Sequence, residues 1–170
     1  MIELSRTYSF HAPQQRVWEL LMDTTALASC IPGCESLEPD PAHEHRYRIR
    51  LAVKLAAVMG TYDGSIELTD LAPNRSYGLV AEGRGRPGFV KGTAAVALAA
   101  DGDATAVSVT GEVVAGGAIA RVGQRILQSA ARMMMDRFFN RLRAIAEGRA
   151  HSAAELDAFE NDPDPDRDGS

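Results

Sequence analysis

From Ala118 to about Glu147 apolar residues recur at helical spacing with no breaker beyond Gly123, and no other feature of the chain restricts its fold so strongly. Ile119, Val122, Ile126, Ala130, Met133, Met134, Phe138, Leu142 and Ile145 make a broad stripe, the pattern of a helix that buries one face. A stripe of that length needs an equally long apolar surface to lie on. The other face carries Arg121, Arg125, Arg132, Arg137, Arg141 and Arg143 against only Asp136 and Glu147, and reads as a solvated outer face.

The preceding residues supply such a surface as strands. Between His45 and Leu55 the residues Tyr47, Ile49, Leu51, Val53 and Leu55 alternate with Arg46, Arg48, Arg50 and Lys54, so one face is buried and the other wet. The next strand, about Thr61 to Leu71, turns Tyr62, Ile66 and Leu68 inward. A hairpin turning near Val58-Met59 sets Lys54 opposite Asp63 and Arg50 opposite Glu67. Strands follow at Arg75–Gly83, Phe89–Ala100 and Thr105–Val114, separated by the turn signals Arg84-Gly85-Arg86-Pro87-Gly88 and Asp101-Gly102-Asp103. Earlier, Ile2 to His11 alternates as a strand, Pro13 opens a helix that runs to Asp23, and a second short helical turn ends at Pro32-Gly33. This order is α+β. A curved antiparallel β-sheet wrapped around a long C-terminal helix, with two short helices after the first strand, buries both stripes at once. That arrangement is a helix-grip fold.

Composition narrows the function. The 170 residues are 45% hydrophobic, yet no run approaches the roughly 18 apolar residues of a membrane-spanning helix. The N-terminus lacks a signal-peptide pattern, which makes a cytoplasmic location the expectation. The formal charge of −5 is concentrated after His151, where seven acids stand against Arg167. Residues 1–149 are therefore expected to form one nearly neutral domain and 150–170 an acidic, disordered tail. Near-neutrality gives no sign of nucleic-acid binding.

Catalytic motifs are missing: the four histidines are scattered, and no nucleophile elbow, zinc-protease or phosphate-loop pattern occurs. Cys30, Cys34, His43 and His45 could be written as a metal set, but their spacing is not that of a zinc ribbon. Cys30-Ile31-Pro32-Gly33-Cys34 has three residues between its thiols where oxidoreductases have two. It reads as a Pro-Gly turn flanked by small packing residues. No catalytic or metal-binding residue is assigned. Inward positions on the last two strands are small (Gly92, Ala94, Val96, Val109, Gly111, Val113), and methionines line the helix, so the interior is either a thin core or an apolar cavity.

Four segments carry a resemblance: F-x-A-P-x-x-x-V-W-x-L-L-x-D at Phe10 to Asp23, C-I-P-G-C at Cys30 to Cys34, Y-D-G at Tyr62 to Gly64, and V-A-G-G-A-I-A-R-V-G-Q-R-I-L at Val114 to Leu127, with Phe138-Phe139 further on. In this order they resemble the carbon monoxide dehydrogenase G-subunit family, a branch of the START-like, Bet v 1-type superfamily, over about residues 2–147. The resemblance implies a non-catalytic accessory protein that links a molybdenum-hydroxylase-type enzyme, chiefly aerobic carbon monoxide dehydrogenase, to the cytoplasmic membrane or the respiratory chain through peripheral membrane contact. It also implies a hydrophobic small molecule, a non-covalently bound quinone or other lipid, between sheet and helix. The alternative within the superfamily is a polyketide cyclase or aromatase acting on an apolar substrate. The candidate ligand-lining residues are Trp18, Tyr47, Ile49, Tyr62, Ile66, Tyr77, Leu79, Phe89, Val96, Val107, Ile126, Met133, Met134 and Phe138. Ala94→Phe and Gly111→Leu are expected to block ligand uptake while leaving the fold intact.

Overall fold

Strand β1 (Ile2–Phe10) turns Ile2, Tyr8 and Phe10 inward by simple alternation and stops before Pro13, whose carbonyl accepts from Val17 N at 3.1 Å to start α1 (Gln14–Leu21). The computed structural model describes residues 1–150; the acidic tail expected beyond Ala150 lies outside the described residues. Helix α1 buries Val17, Trp18, Leu20 and Leu21 on one face. Asp23 caps α2 (Thr24–Cys30), its Oδ1 accepting from Thr25 N at 2.9 Å and Ala26 N at 3.3 Å.

The turn after α2 is the one expected. Gly33 has φ +76°, and a Cβ there would sit 2.2 Å from Ala52 O, so glycine alone fits. Its carbonyl accepts from Ala52 N at 2.8 Å, which ties the turn to the sheet. A strand that alternation did not reveal follows, β2 (Cys34–Pro39). It is short, largely exposed and an edge strand, so it has no apolar face of its own to read.

The remaining strands are β3 (Arg46–Val53), β4 (Gly60–Ala72), β5 (Ser76–Gly85), β6 (Gly88–Asp101) and β7 (Ala104–Gly116). They form one antiparallel sheet in the order β1-β7-β6-β5-β4-β3-β2. The β3–β4 register differs from the expected one. The turn falls on a 3-10 segment at Ala56–Val58, so Arg50 faces Asp63 and Arg46 faces Glu67, while Lys54 lies beyond the ladder. Arg50 Nε donates to Asp63 Oδ1 at 2.7 Å across this exposed face.

The terminal helix begins later than its stripe suggests. Ala118–Val122 is a 3-10 turn, Gly123 at φ +96° breaks it, and α3 runs Gln124–Ala146. Gln124 and Gln128 bind the carbonyls of Met1 and Glu3 at 2.9 and 3.1 Å, and Tyr8 Oη donates to Asp136 Oδ1 at 2.6 Å, fixing α3 along β1. Two of its arginines are not on a solvated face. Arg141 is 9% exposed and donates to Ser29 O on α2, and Arg143 is 1% exposed with Nη2 on Asn140 Oδ1 at 3.0 Å. Helix periodicity alone could not show that α2 crosses this part of α3.

The core is divided. A large cluster fills one end, with Phe139 stacked on Tyr8 (4.5 Å between centroids) and edge-on to Phe10, and Trp18 edge-on to Tyr77. A small second cluster of Val58, Tyr62 and Ile119 lies at the other end, where the β3–β4 and β5–β6 hairpins turn.

Candidate functional site: an apolar cavity beneath the long helix

Between the two clusters the sheet and α3 enclose a cavity of about 480 Å³. Its width follows from residue size. Across the middle of the sheet the inward positions Gly64, Ala81, Gly83, Gly92 and Ala94 carry almost no side chain, while Leu127, Ala130, Met134 and Phe138 approach from α3. Small residues on one wall and a helix held off by aromatic packing at the end leave space that nothing in the chain fills.

Nine of the expected lining residues share this wall: Tyr47, Ile49, Tyr62, Ile66, Tyr77, Leu79, Val96, Met134 and Phe138. Five lie elsewhere. Trp18 packs on Tyr77 from α1, outside the wall, and Val107 is fully buried in the large cluster. Phe89 belongs to the outward set of β6, because Val90, Gly92, Ala94 and Val96 take the inward set. It is 40% exposed beneath Arg84, 5.7 Å from its ring centroid. Ile126 and Met133 lie one turn-fraction round α3 from Leu127 and Met134 and face solvent. The helix is apolar on more than one side, so the stripe alone did not centre its inner face. Gly111 also differs from expectation: a Cβ there meets Thr93 O at 2.6 Å, so Gly111→Leu would strain the sheet, whereas Ala94 does line the cavity.

Sequence reasoning missed the contribution of the short elements. Leu21, Leu27 and Ile31 from α1, α2 and the turn after them close one side with Leu37 of β2. Leu55, Val58 and Ile119 close the hairpin end. The continued alternation of Tyr77, Leu79, Ala81 and Gly83 was the available signal for the small residues of β5.

Polar groups on the wall are few. Tyr62 Oη donates to Val58 O at 2.8 Å, which pins the 3-10 turn, and burial pushes this phenol above its ordinary range. Burial pushes the Tyr77 phenol up as well, so it stays a neutral donor. Neither Tyr47 nor Tyr77 spends its hydroxyl on a hydrogen bond among the described residues. The Tyr8–Asp136 contact, joined by Arg6 at 3.7 Å, lies outside the wall. Cys30 and Cys34 are free thiols at one end of β2, and His43 and His45 lie near the other, the length of that strand away. Among the described residues no three His, Cys, Asp or Glu side chains gather as a metal set, and no helix is long and apolar enough to cross a membrane.

A seven-stranded antiparallel sheet gripping one long helix around an apolar cavity defines a START-like helix-grip protein. More narrowly, the chain belongs to the carbon monoxide dehydrogenase G-subunit (CoxG) family, whose model matches residues 7–146. The chain is similar to a conserved protein of Geobacillus kaustophilus, with a TM-score of 0.83 and 32% identity over 88% of this chain and 98% of that one. It shares the fold of the ZhuI aromatase/cyclase of Streptomyces sp. R1128 (TM-score 0.66, 19% identity, 89% and 96% covered). It shares it too with a START superfamily protein of Mycobacterium smegmatis (TM-score 0.66, 14% identity, 87% and 99% covered). A search of curated proteins gave no significant match.

Proposed function

We propose that this protein is a non-catalytic carrier and adaptor. It holds a lipophilic molecule, with a quinone as the first candidate, and links a molybdenum-hydroxylase-type enzyme such as carbon monoxide dehydrogenase to the cytoplasmic membrane or respiratory chain. The observation that carries the reading is the cavity. Its volume of about 480 Å³ lies within the roughly 300–1,000 Å³ of small-molecule sites. Its wall is apolar, with the phenols of Tyr47 and Tyr77 as unspent donors. A flat head group carrying carbonyl acceptors suits those donors, and an isoprenoid tail suits the aliphatic remainder. The partner enzyme rests on the family's name alone.

The cyclase alternative needs acid–base groups in contact with substrate. The Tyr8–Asp136 carboxylate–phenol pair lies off the cavity wall, and Glu82, which does border the cavity, is exposed and belongs to the outward set of β5, which favours the carrier. Solvent extraction of natively expressed protein, followed by mass spectrometry and ultraviolet spectra, tests the reading. A quinone near one per chain is the expected result. An empty extract that stays empty after incubation with membrane lipids overturns it and leaves a docking factor acting through its surface.

A further inference from the structure

The alternation of strands brings three connections to one end of the molecule: the β3–β4 loop, the two-residue turn Arg86-Pro87, and the segment from Val114 through the first turn of α3. They touch one another there. Ile119 N donates to Pro87 O at 2.6 Å, and Pro87 lies against Gly60. Six large hydrophobic side chains are exposed among the described residues, and all but Met133 are at this end: Met1, Met59 (59%), Phe89 (40%), Val114 (49%) and Ile126 (46%). Scattered exposed apolar residues are ordinary; five of six at one end are not.

The same segments, residues 53–60, 84–89 and 114–126, carry Lys54, Arg84, Arg86, Arg121 and Arg125 and no carboxylate. All five cations are exposed, and none is in an ion pair within the described residues. Asp63 stands opposite Arg84 in register but is engaged by Arg50. At the opposite end, the loops at 40–45, 70–75 and 101–103 carry Asp40, Glu44, Asp70, Asp101 and Asp103 against Arg75 and two histidines. The connecting loops at the two ends therefore differ in sign, basic at the hairpin end and acidic at the other.

We infer that the hairpin end is a docking surface for an anionic lipid bilayer. Cations attract acidic head groups, and the exposed apolar side chains between them enter the interfacial layer, with Phe89 and its overlying Arg84 placed as aromatic and basic interface anchors. A protein partner would ask for a packed, complementary patch, whereas these apolar side chains come separately from the chain start, the β3–β4 loop, β6, β7 and α3, between cations, and form no single face. The inference deepens the carrier reading and rests on it only for its purpose. The Val58–Tyr62–Ile119 cluster that closes the cavity lies directly behind this surface, so docking sets the cavity's plug against the lipid through which an apolar ligand would pass.

The test is co-sedimentation of the full chain with phosphatidylcholine vesicles, with and without phosphatidylglycerol. The expected result is binding to the anionic vesicles that weakens with salt. It falls about fivefold for each cation removed in Arg86→Gln and Arg121→Gln, falls again in Phe89→Ser, and is unchanged in Arg75→Gln at the opposite end. These side chains are exposed, and circular dichroism confirms that each variant is folded. Equal binding to neutral vesicles, or indifference to the three hairpin-end variants, overturns the assignment. So does absence of vesicle binding, most tellingly if the same variants abolish association with a hydroxylase, which would make the surface a protein interface. Loading of quinone from detergent micelles is measured in parallel; its failure with vesicle binding intact removes the carrier reading and leaves the docking surface standing.

Discussion

Cys30 lies fully buried at the end of α2, and burial pushes its thiol up to about 12 from an ordinary value near 9, with the Arg141 charge opposing. Below pH 9 both folded and unfolded chains keep this proton, and the thiol contributes nothing to the pH dependence of stability. Between about 9 and about 12 the unfolded chain loses the proton and the folded chain keeps it, so unfolding becomes more favourable as pH rises. Urea melts at stepped pH should show stability declining above pH 9, with this thiol supplying a slope of up to about 1.4 kcal/mol per pH unit. Cys30→Ala should remove that share and leave the share of Cys34, whose thiol burial also raises, and the later decline from Tyr62 and Tyr77, which begins above pH 10. Parallel profiles for the two proteins would show that Cys30 ionises in the folded state. The sequence assigned both cysteines to a turn because Pro32-Gly33 between them is a turn. It could not say that one is sealed and the other, Cys34, is partly exposed with Sγ near Ser36 O, since that depends on what packs over each.

At the scale of elements, strands were legible and their ends were not. Alternation fixes which face is inward, and for Tyr47, Ile49, Tyr62 and Ile66 that was enough to place them on the cavity. It leaves the register free, and the β3–β4 ladder was decided by a 3-10 turn at Ala56–Val58. Helix α3 shows the same limit. Its stripe continues through Ala118–Val122, but Gly117 at φ +81° and Gly123 at φ +96° set that segment off as a separate turn. A side chain at 123 would meet no neighbour within 4 Å, so only the backbone conformation requires glycine. Gly123→Ala should therefore cost about 1–2 kcal/mol in denaturant melts, with α3 intact by circular dichroism. A neutral or stabilising effect would mean that α3 can extend through the turn as one helix.

At the scale of the whole molecule the interior is defined by what is missing from it. Ala94 stands between Leu79 and Gly111 in the sheet and faces the cavity, so Ala94→Phe should fill space and leave the fold intact. The expected outcome is an unchanged or slightly higher melting temperature together with loss of bound lipophile. Retained ligand at full stoichiometry would place the binding site elsewhere. Sequence by itself determined the strand faces, the Pro-Gly turn, the α+β order and the family, because these rest on periods of two and 3.6 and on short motifs that any local stretch displays. Tertiary structure alone decided three things: which side of a helix apolar on more than one side meets the sheet, which arginines are covered, and that the small residues of β4, β5 and β6 align across neighbouring strands. The last is the physical origin of the cavity. A glycine in one strand is only a missing side chain, and it becomes a space when the strands beside it bring their own small residues into the same row.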